Sequence, residues 1–171
     1  MGEALQVSIQ PWARNNLPLL FQLNAPEMTK HLGGPETEEQ VIRRHDRYLS
    51  IGDTGCMFSI VFESDQEAAG SVGYWERQWQ GETVYEMGWG VLPHFQGKGI
   101  ASEAVVQAIA HAASKEKCNY LHAFPSINNP ASNAICQKLH FERISECEFE
   151  YPQGSFMKCN DWRFDLRKVL S

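Results

Sequence analysis

The stretch Tyr85–Ser102, YEMGWGVLPHFQGKGIAS, leaves few folds open to this chain. Its first half alternates like a strand, and its last residues begin a run with helical spacing. Between them Gln96-Gly97-Lys98-Gly99-Ile100-Ala101 makes a glycine-bearing turn at the start of a helix. The first amides of a helix lack intrahelical partners and sit at the positive end of its dipole, so such a turn suits an anion, phosphate above all. A Walker A loop does not fit, because Gly99 follows Gly97-Lys98 where Ser or Thr is required and no glycine stands five residues before Gly97. The dinucleotide pattern G-x-G-x-x-G takes Gly97 and Gly99 but finds Ser102 at its third glycine. It also needs a parallel βαβ unit where the upstream segments read as an antiparallel meander.

Those upstream segments set the topology. Leu5, Val7 and Ile9 alternate with polar neighbours and predict a first strand before Pro11. Leu17, Leu20, Phe21 and Leu23 predict a helix within 14–25, with Pro18 in its first turn. Residues 28–35, MTKHLGGP, read as a loop. Thr37 with Gln40 makes a capping box for a helix running to Leu49. Three strands follow, over 57–63, 69–77 and 83–91, separated by short polar breaks at 65–67 and 80–81.

The second half alternates helix and strand. A helix from about Gly99 to Ser114 buries Ala101, Ala104, Val105, Ala108, Ile109 and Ala112. A short strand spans 120–124, and Asn129-Pro130 caps a further helix carrying Ala134, Ile135 and Leu139. Strands over 141–149 and 156–166 close the chain as a hairpin around Pro152-Gln153-Gly154. The predicted class is α+β: a mostly antiparallel twisted sheet of about seven strands with about four helices, in one domain over 1–171.

Composition narrows the function classes. A net charge of -6 argues against nucleic-acid binding, which usually shows a basic stripe. It suits a cationic partner, although ordinary solubility charge explains it as well. No apolar run approaches the length of a membrane span, and no signal segment is expected at Met1. Five cysteines, an odd number and widely spread, fit reduced thiols and a cytoplasmic location.

The run Val91-Leu92-Pro93-His94-Phe95-Gln96-Gly97-Lys98-Gly99-Ile100-Ala101 resembles the V-x-P-x-x-Q-G-x-G-x-A segment of the GNAT superfamily of acetyl-CoA-dependent N-acetyltransferases. Asn129-Pro130-Ala131-Ser132-Asn133-Ala134-Ile135-Cys136-Gln137-Lys138-Leu139-His140-Phe141 resembles its second signature, N-x-x-S-x-x-x-x-x-K-x-G-F. The predicted element order is also that of the GNAT fold. The resemblance implies that Gln96, Gly97, Lys98, Gly99, Ile100 and Ala101 hold the pyrophosphate of coenzyme A. It assigns the Val91 N–H to the thioester oxyanion, and Asn129, Ser132 and Asn133 to further cofactor contacts. Cys136 stands where many members have the tyrosine that protonates the leaving thiolate, and His140 replaces the final glycine. A branch that includes the ribosomal-protein N-terminal acetyltransferases commonly lacks that tyrosine and often carries a turn like Leu32-Gly33-Gly34-Pro35.

The implied chemistry is direct attack of a neutral amine on the thioester in a ternary complex, which needs a base at neutral pH. Glu86 is the candidate: alternation puts it on one strand face with Val84, Gly88 and Gly90, leaving room beside the carboxylate. Similar GNAT enzymes often carry a glutamate there. The acceptor expected from the branch is a protein or peptide N-terminus. Small amines (polyamines, amino acids, aminoglycosides) and a non-catalytic acyl-CoA sensor are the alternatives.

Three further readings come from individual residues. Cys136 with His140 could act as an acyl-accepting nucleophile, against the plainer reading of a small buried side chain. Cys118/His122 and Cys136/His140 formally make two C-x₃-H pairs, but no metal site is expected from them. Trp12, Phe21, Trp75, Trp79 and Tyr151 could line an acceptor groove or serve as core. A monomer and a homodimer are both compatible with the sequence.

Overall fold

The computed structural model describes residues 6–150 and 154–169. Leu5, Tyr151, Pro152 and Gln153 lie outside the described residues. The chain begins with β1 (Val7–Pro11), a 3₁₀ turn (Arg14–Asn16), α1 (Leu17–Leu23), α2 (Pro26–Thr29) and α3 (Glu38–Leu49). A meander follows, β2 (Gly55–Phe62), β3 (Ala68–Trp79) and β4 (Glu82–Val91), and then α4 (Ile100–Ser114). The chain continues with β5 (Tyr120–Ala123), α5 (Pro130–Lys138), β6 (Glu142–Glu150) and β7 (Phe156–Asp165). The strands form one seven-stranded sheet in the order β1-β2-β3-β4-β5-β7-β6. Only the β4–β5 pair is parallel.

Local signals explain most boundaries. The α3 capping box forms, with Gln40 N–H donating to Thr37 Oγ1 at 3.2 Å and Thr37 N–H donating to Gln40 Oε1 at 2.8 Å. The β3–β4 hairpin turns on Gln80 and Gly81, both at positive φ (50° and 82°), the geometry of a type I′ turn whose twist matches the strands it joins.

The one helical misreading lies between β1 and α3. The helix expected over 14–25 is split, and part of the expected loop from Met28 is helical. Pro26 cannot donate to the preceding turn, but it suits the first position of a new one, so α2 starts there. The loop that follows is tied back by Asn24, whose Nδ2 donates to the Glu36 carbonyl at 2.9 Å while its Oδ1 accepts from Glu36 N–H at 2.8 Å.

Two apolar clusters sandwich the sheet. On one face α4 lays Ala104, Val105, Ala108 and Ala112 over Val72, Tyr74, Tyr85 and Met87, and α5 adds Cys136. The small alanine side chains bring the helix backbone close to the strands. Ala101, expected in this buried face, is only half-buried at the open end of α4. On the other face α1 and α3 pack Leu19, Leu20, Leu23 and Val41 with Trp12 and Met57. The far end of that second face, over β4, β5 and β7, carries the polar residues described next.

Candidate active site

The glycine turn lies where β4 delivers the chain to α4. Gly97 and Gly99 both adopt φ 79°, a left-handed conformation that glycine enters without steric cost. A Cβ at either would meet nothing within 4 Å, so the backbone here borders open space. Gly99 is the N-cap of α4 and supplies no side-chain cap, which leaves the first amides of the helix turned outward. Gln96 anchors the turn by donating from Nε2 to the Val91 carbonyl at 2.9 Å. Its side chain therefore shapes the loop.

A second opening follows from strand register. Leu92 N–H donates to the Ala69 carbonyl at 2.8 Å, continuing the β3–β4 ladder. Hydrogen-bonded pairs alternate along an antiparallel ladder, so even-numbered β4 residues bond toward β3 and odd-numbered ones point toward β5. The described β4–β5 ladder pairs only Tyr85 with Leu121 and Glu86 with His122. Beyond that point the N–H groups of Trp89 and Val91 face the widening gap between the two strands.

Glu86 sits on the face opposite α4, as its alternation predicts. A Cβ on Gly88 would lie 3.2 Å from Trp75, and one on Gly90 would lie 3.5 Å from Met28 and 3.6 Å from Leu23. The two glycines thus let Trp75 and the Met28 and Leu23 side chains of the α1–α2 segment pack close against β4. Glu86 Oε1 accepts from Arg77 Nη1 at 2.8 Å, with the carboxylate side chain 14% exposed. Burial pushes its pKa above the ordinary carboxylate value, opposed by the charge and hydrogen bond of Arg77 and by a hydrogen bond from Trp75.

Behind Glu86 lies a polar cluster that sequence reasoning did not assemble. The Arg77 guanidinium carbon is 4.4 Å from the Phe149 ring centre, 5.4 Å from Trp79 and 5.6 Å from Phe124. His122, beside Glu86 in register, places Nδ1 2.6 Å from Asp161 Oδ1, and Trp79 Nε1 donates to Asp161 Oδ2 at 3.1 Å. Arg77, His122 and Asp161 come from β3, β5 and β7, so no local motif joins them. The available signal was weak: charged or polar residues at inward positions of otherwise apolar strands.

The α5 residues divide into different tasks. Asn129 caps the helix, its Oδ1 accepting from Ser132 N–H at 3.2 Å. Asn133, expected to contact cofactor, has its amide taken up by protein. Its Nδ2 donates to the carbonyls of Ser126 (2.9 Å) and Asn129 (2.8 Å), and its Oδ1 accepts from Asn160 Nδ2 and Trp162 Nε1, both at 2.8 Å. These bonds use both donors and both acceptor sites of the amide, so Asn133 acts as a staple between α5 and β7.

Cys136 is fully buried, and burial pushes its thiol up to about 12. A nucleophilic cysteine needs a stabilised thiolate, and among the described residues no neighbouring charge supplies one to Cys136. His140 follows α5 at φ 64° and lines a shallow pocket with Tyr120, Glu142 and Arg163. Among the described residues no group of three or more His, Cys, Asp or Glu side chains could hold a metal ion, so the two C-x₃-H pairs do not converge. Of the aromatic candidates, Trp12 is core, its indole donating to His45 Nδ1 at 2.9 Å. Trp75 and Trp79 border Glu86 and Asp161, and Phe21 is 38% exposed.

A phosphate-suited turn at a helix start thus follows a strand that carries a largely buried carboxylate and pairs only briefly with its parallel neighbour. Residues 6–142 match the acetyltransferase (GNAT) domain, and the chain belongs to that family. An uncharacterized N-acetyltransferase, YnaD, from Bacillus subtilis is 25% identical over 115 residues. That alignment covers 65% of this chain and 61% of the relative, so the chain spans about three fifths of the curated relative it matches. Among solved structures, the Salmonella typhimurium acetyltransferase that modifies the N-terminal serine of ribosomal protein L7/L12 superposes with a TM-score of 0.74 at 18% identity. The superposition covers 93% of this chain and 94% of that one. A spermidine N-acetyltransferase from Vibrio cholerae, in complex with CoA and spermine, superposes with a TM-score of 0.79 at 14% identity, covering 97% and 99%. At these identities the likeness establishes a shared fold.

Proposed function

We propose that this protein transfers the acetyl group of acetyl-CoA to a primary amine by direct attack in a ternary complex. The observation that carries this reading is the arrangement along β4. A largely buried carboxylate, two glycines that admit close packing by Trp75, Met28 and Leu23, two backbone N–H groups on the β5-facing edge and a phosphate-suited turn follow one another on a single strand and its exit. Gln96 to Ala101 bind the pyrophosphate through backbone amides, with Lys98 adding charge. Asn129 and Ser132, at the exposed start of α5, border the pantetheine arm.

Distance along the strand refines the oxyanion site. Val91 is five residues from Glu86, roughly 16 Å at the rise of an extended strand, whereas Trp89 is roughly 10 Å away. An amine attacking a thioester carbonyl held at Trp89 N–H lies within reach of Glu86 through one water. Val91 N–H then serves the neighbouring part of the pantetheine arm. Glu86 takes the proton from the amine, directly or through that water, and the N–H dipole stabilises the oxyanion.

Cys136 is assigned to packing. Proton transfer from a thiol near 12 to a coenzyme thiolate, whose own pKa is ordinarily about 8.5, is uphill. The leaving thiolate therefore takes its proton from solvent or from the proton released by the amine.

For the acceptor, we favour an α-amine of a peptide or protein N-terminus. The L7/L12 acetyltransferase and the spermidine acetyltransferase share this fold, so fold alone leaves both acceptor classes open. The test is release of coenzyme A from acetyl-CoA against peptides, polyamines, amino acids and aminoglycosides, with the amine-free rate subtracted. Amine-dependent turnover is the expected result. Acetyl-CoA raising the melting temperature without turnover on any amine would instead favour an acyl-CoA sensor, and no binding at all would overturn the reading.

A further inference from the structure

Arg77 has more hydrogen-bonding capacity than the protein uses. A guanidinium carries five N–H donors, and among the described residues Arg77 makes one hydrogen bond, from Nη1 to Glu86. Its Nε is buried with no partner, although buried polar groups are nearly always paired. The side chain is nonetheless one-third exposed, at 33%, and the rings of Phe149, Trp79 and Phe124 hold the guanidinium beside the carboxylate. An ordinary surface ion pair has no such clamp and buries no donor. A fork held next to the base, with donors to spare, suits a ligand oxygen.

The spacing specifies which oxygen. In an α-amino-acyl group the amine nitrogen and carbonyl oxygen are separated by two carbons, which puts them about 3 Å apart. Glu86 Oε1 and Arg77 Nη1 are 2.8 Å apart. An amine at Glu86 therefore brings its own carbonyl to Arg77. Resting on the acetyltransferase reading above, we propose that Arg77 is an acceptor-specificity residue: with Glu86 it forms a two-point site for the α-amino-acyl group of a peptide or amino acid.

Charge selects in the same direction. The carboxylate is already compensated by Arg77, so the site offers little to a second ammonium, and a polyamine would bring one against the guanidinium. An α-amine, with an ordinary pKa of about 7.7–8.0, reaches the neutral form near pH 7 far more readily than an alkyl amine at about 10.4.

The experiment compares kcat/KM for L-alaninamide and isopropylamine, which differ in the carbonyl, in wild type, Arg77→Met and Arg77→Lys, with spermidine as a third acceptor. Taking the ratio between enzymes cancels the difference in amine basicity. The alaninamide preference should fall roughly 10- to 100-fold in Arg77→Met, the size of a lost charge-assisted hydrogen bond, and less in Arg77→Lys. The shift in melting temperature caused by acetyl-CoA should be unchanged in both. Equal loss on both acceptors would overturn the proposal, reducing Arg77 to a support for Glu86. Wild-type preference for spermidine or isopropylamine would overturn it too, while leaving the acetyltransferase function standing. No turnover on any amine would remove both readings together. If Arg77→Met does not fold, Arg77→Gln takes its place in the comparison, with the smaller fall still expected in Arg77→Lys.

Discussion

The carboxylate of Asp161, wholly buried in β7, lies 2.6 Å from His122 Nδ1 on β5 and accepts the Trp79 indole of β3 at 3.1 Å. One side chain thus ties together three strands, two of them flanking β4. It also fixes the ring beside Glu86. Asp161→Ala should cost about 3 kcal/mol, because it leaves the buried His122 and Trp79 donors without a partner. Asp161→Asn, which keeps an acceptor oxygen, should cost less. Urea unfolding measures both, and a loss under about 1 kcal/mol for the alanine variant would mean that water replaces the carboxylate.

Glu86→Gln should lower kcat by roughly 10²- to 10⁴-fold while leaving the acetyl-CoA-induced rise in melting temperature intact. The base works only when ionised, and burial has raised its pKa. Activity should therefore climb with pH through an acid limb lying above the ordinary carboxylate range. That limb should vanish from the kcat profile of the glutamine variant. Its persistence would assign the base elsewhere.

Gly99→Ala tests the turn. At φ 79° an alanine is strained by about 1 to 2 kcal/mol although its Cβ meets no neighbour, so the loss is conformational rather than steric crowding. Thermal unfolding should register that loss. A turn that relaxes to relieve it no longer aims its amides together, and the KM for acetyl-CoA should rise roughly tenfold. The KM for the acceptor should stay level.

Cys136 should resist alkylation. With the thiol pushed up to about 12 and no exposed surface, labelling by iodoacetamide at neutral pH should run on the order of a thousandfold slower than for a free thiol. Peptide mapping by mass spectrometry reads the rate at this position. Labelling in urea, where the residue is exposed, should restore it. Fast native labelling would return Cys136 to consideration as a reactive group.

Much of the architecture was legible in local patterns. Thr37 and Gln40 announced α3, Gln80-Gly81 announced the β3–β4 turn, and the 85–102 stretch announced a strand, a phosphate-suited turn and a helix. The misreading near Pro26 arose because proline ends one helix and starts the next with equal ease, and only packing distinguishes these outcomes. Glu86 was legible because alternation with Gly88 and Gly90 is a property of the strand itself. The bonding of Asn133 was not legible for the opposite reason: its partners Asn160 and Trp162 lie on β7, far away in sequence.

By itself, then, the sequence determined the elements, the glycine turn at the head of α4 and the face on which Glu86 sits. Each follows from backbone sterics and side-chain period within a few residues. Tertiary structure alone decided what surrounds that carboxylate. The clamp on Arg77 by Phe149 of β6 and by Phe124, just after β5, the His122–Asp161 contact and the short β4–β5 pairing all join segments distant in sequence. Charge, burial and hydrogen bonding act through space, and local pattern does not report which distant side chains will share a face.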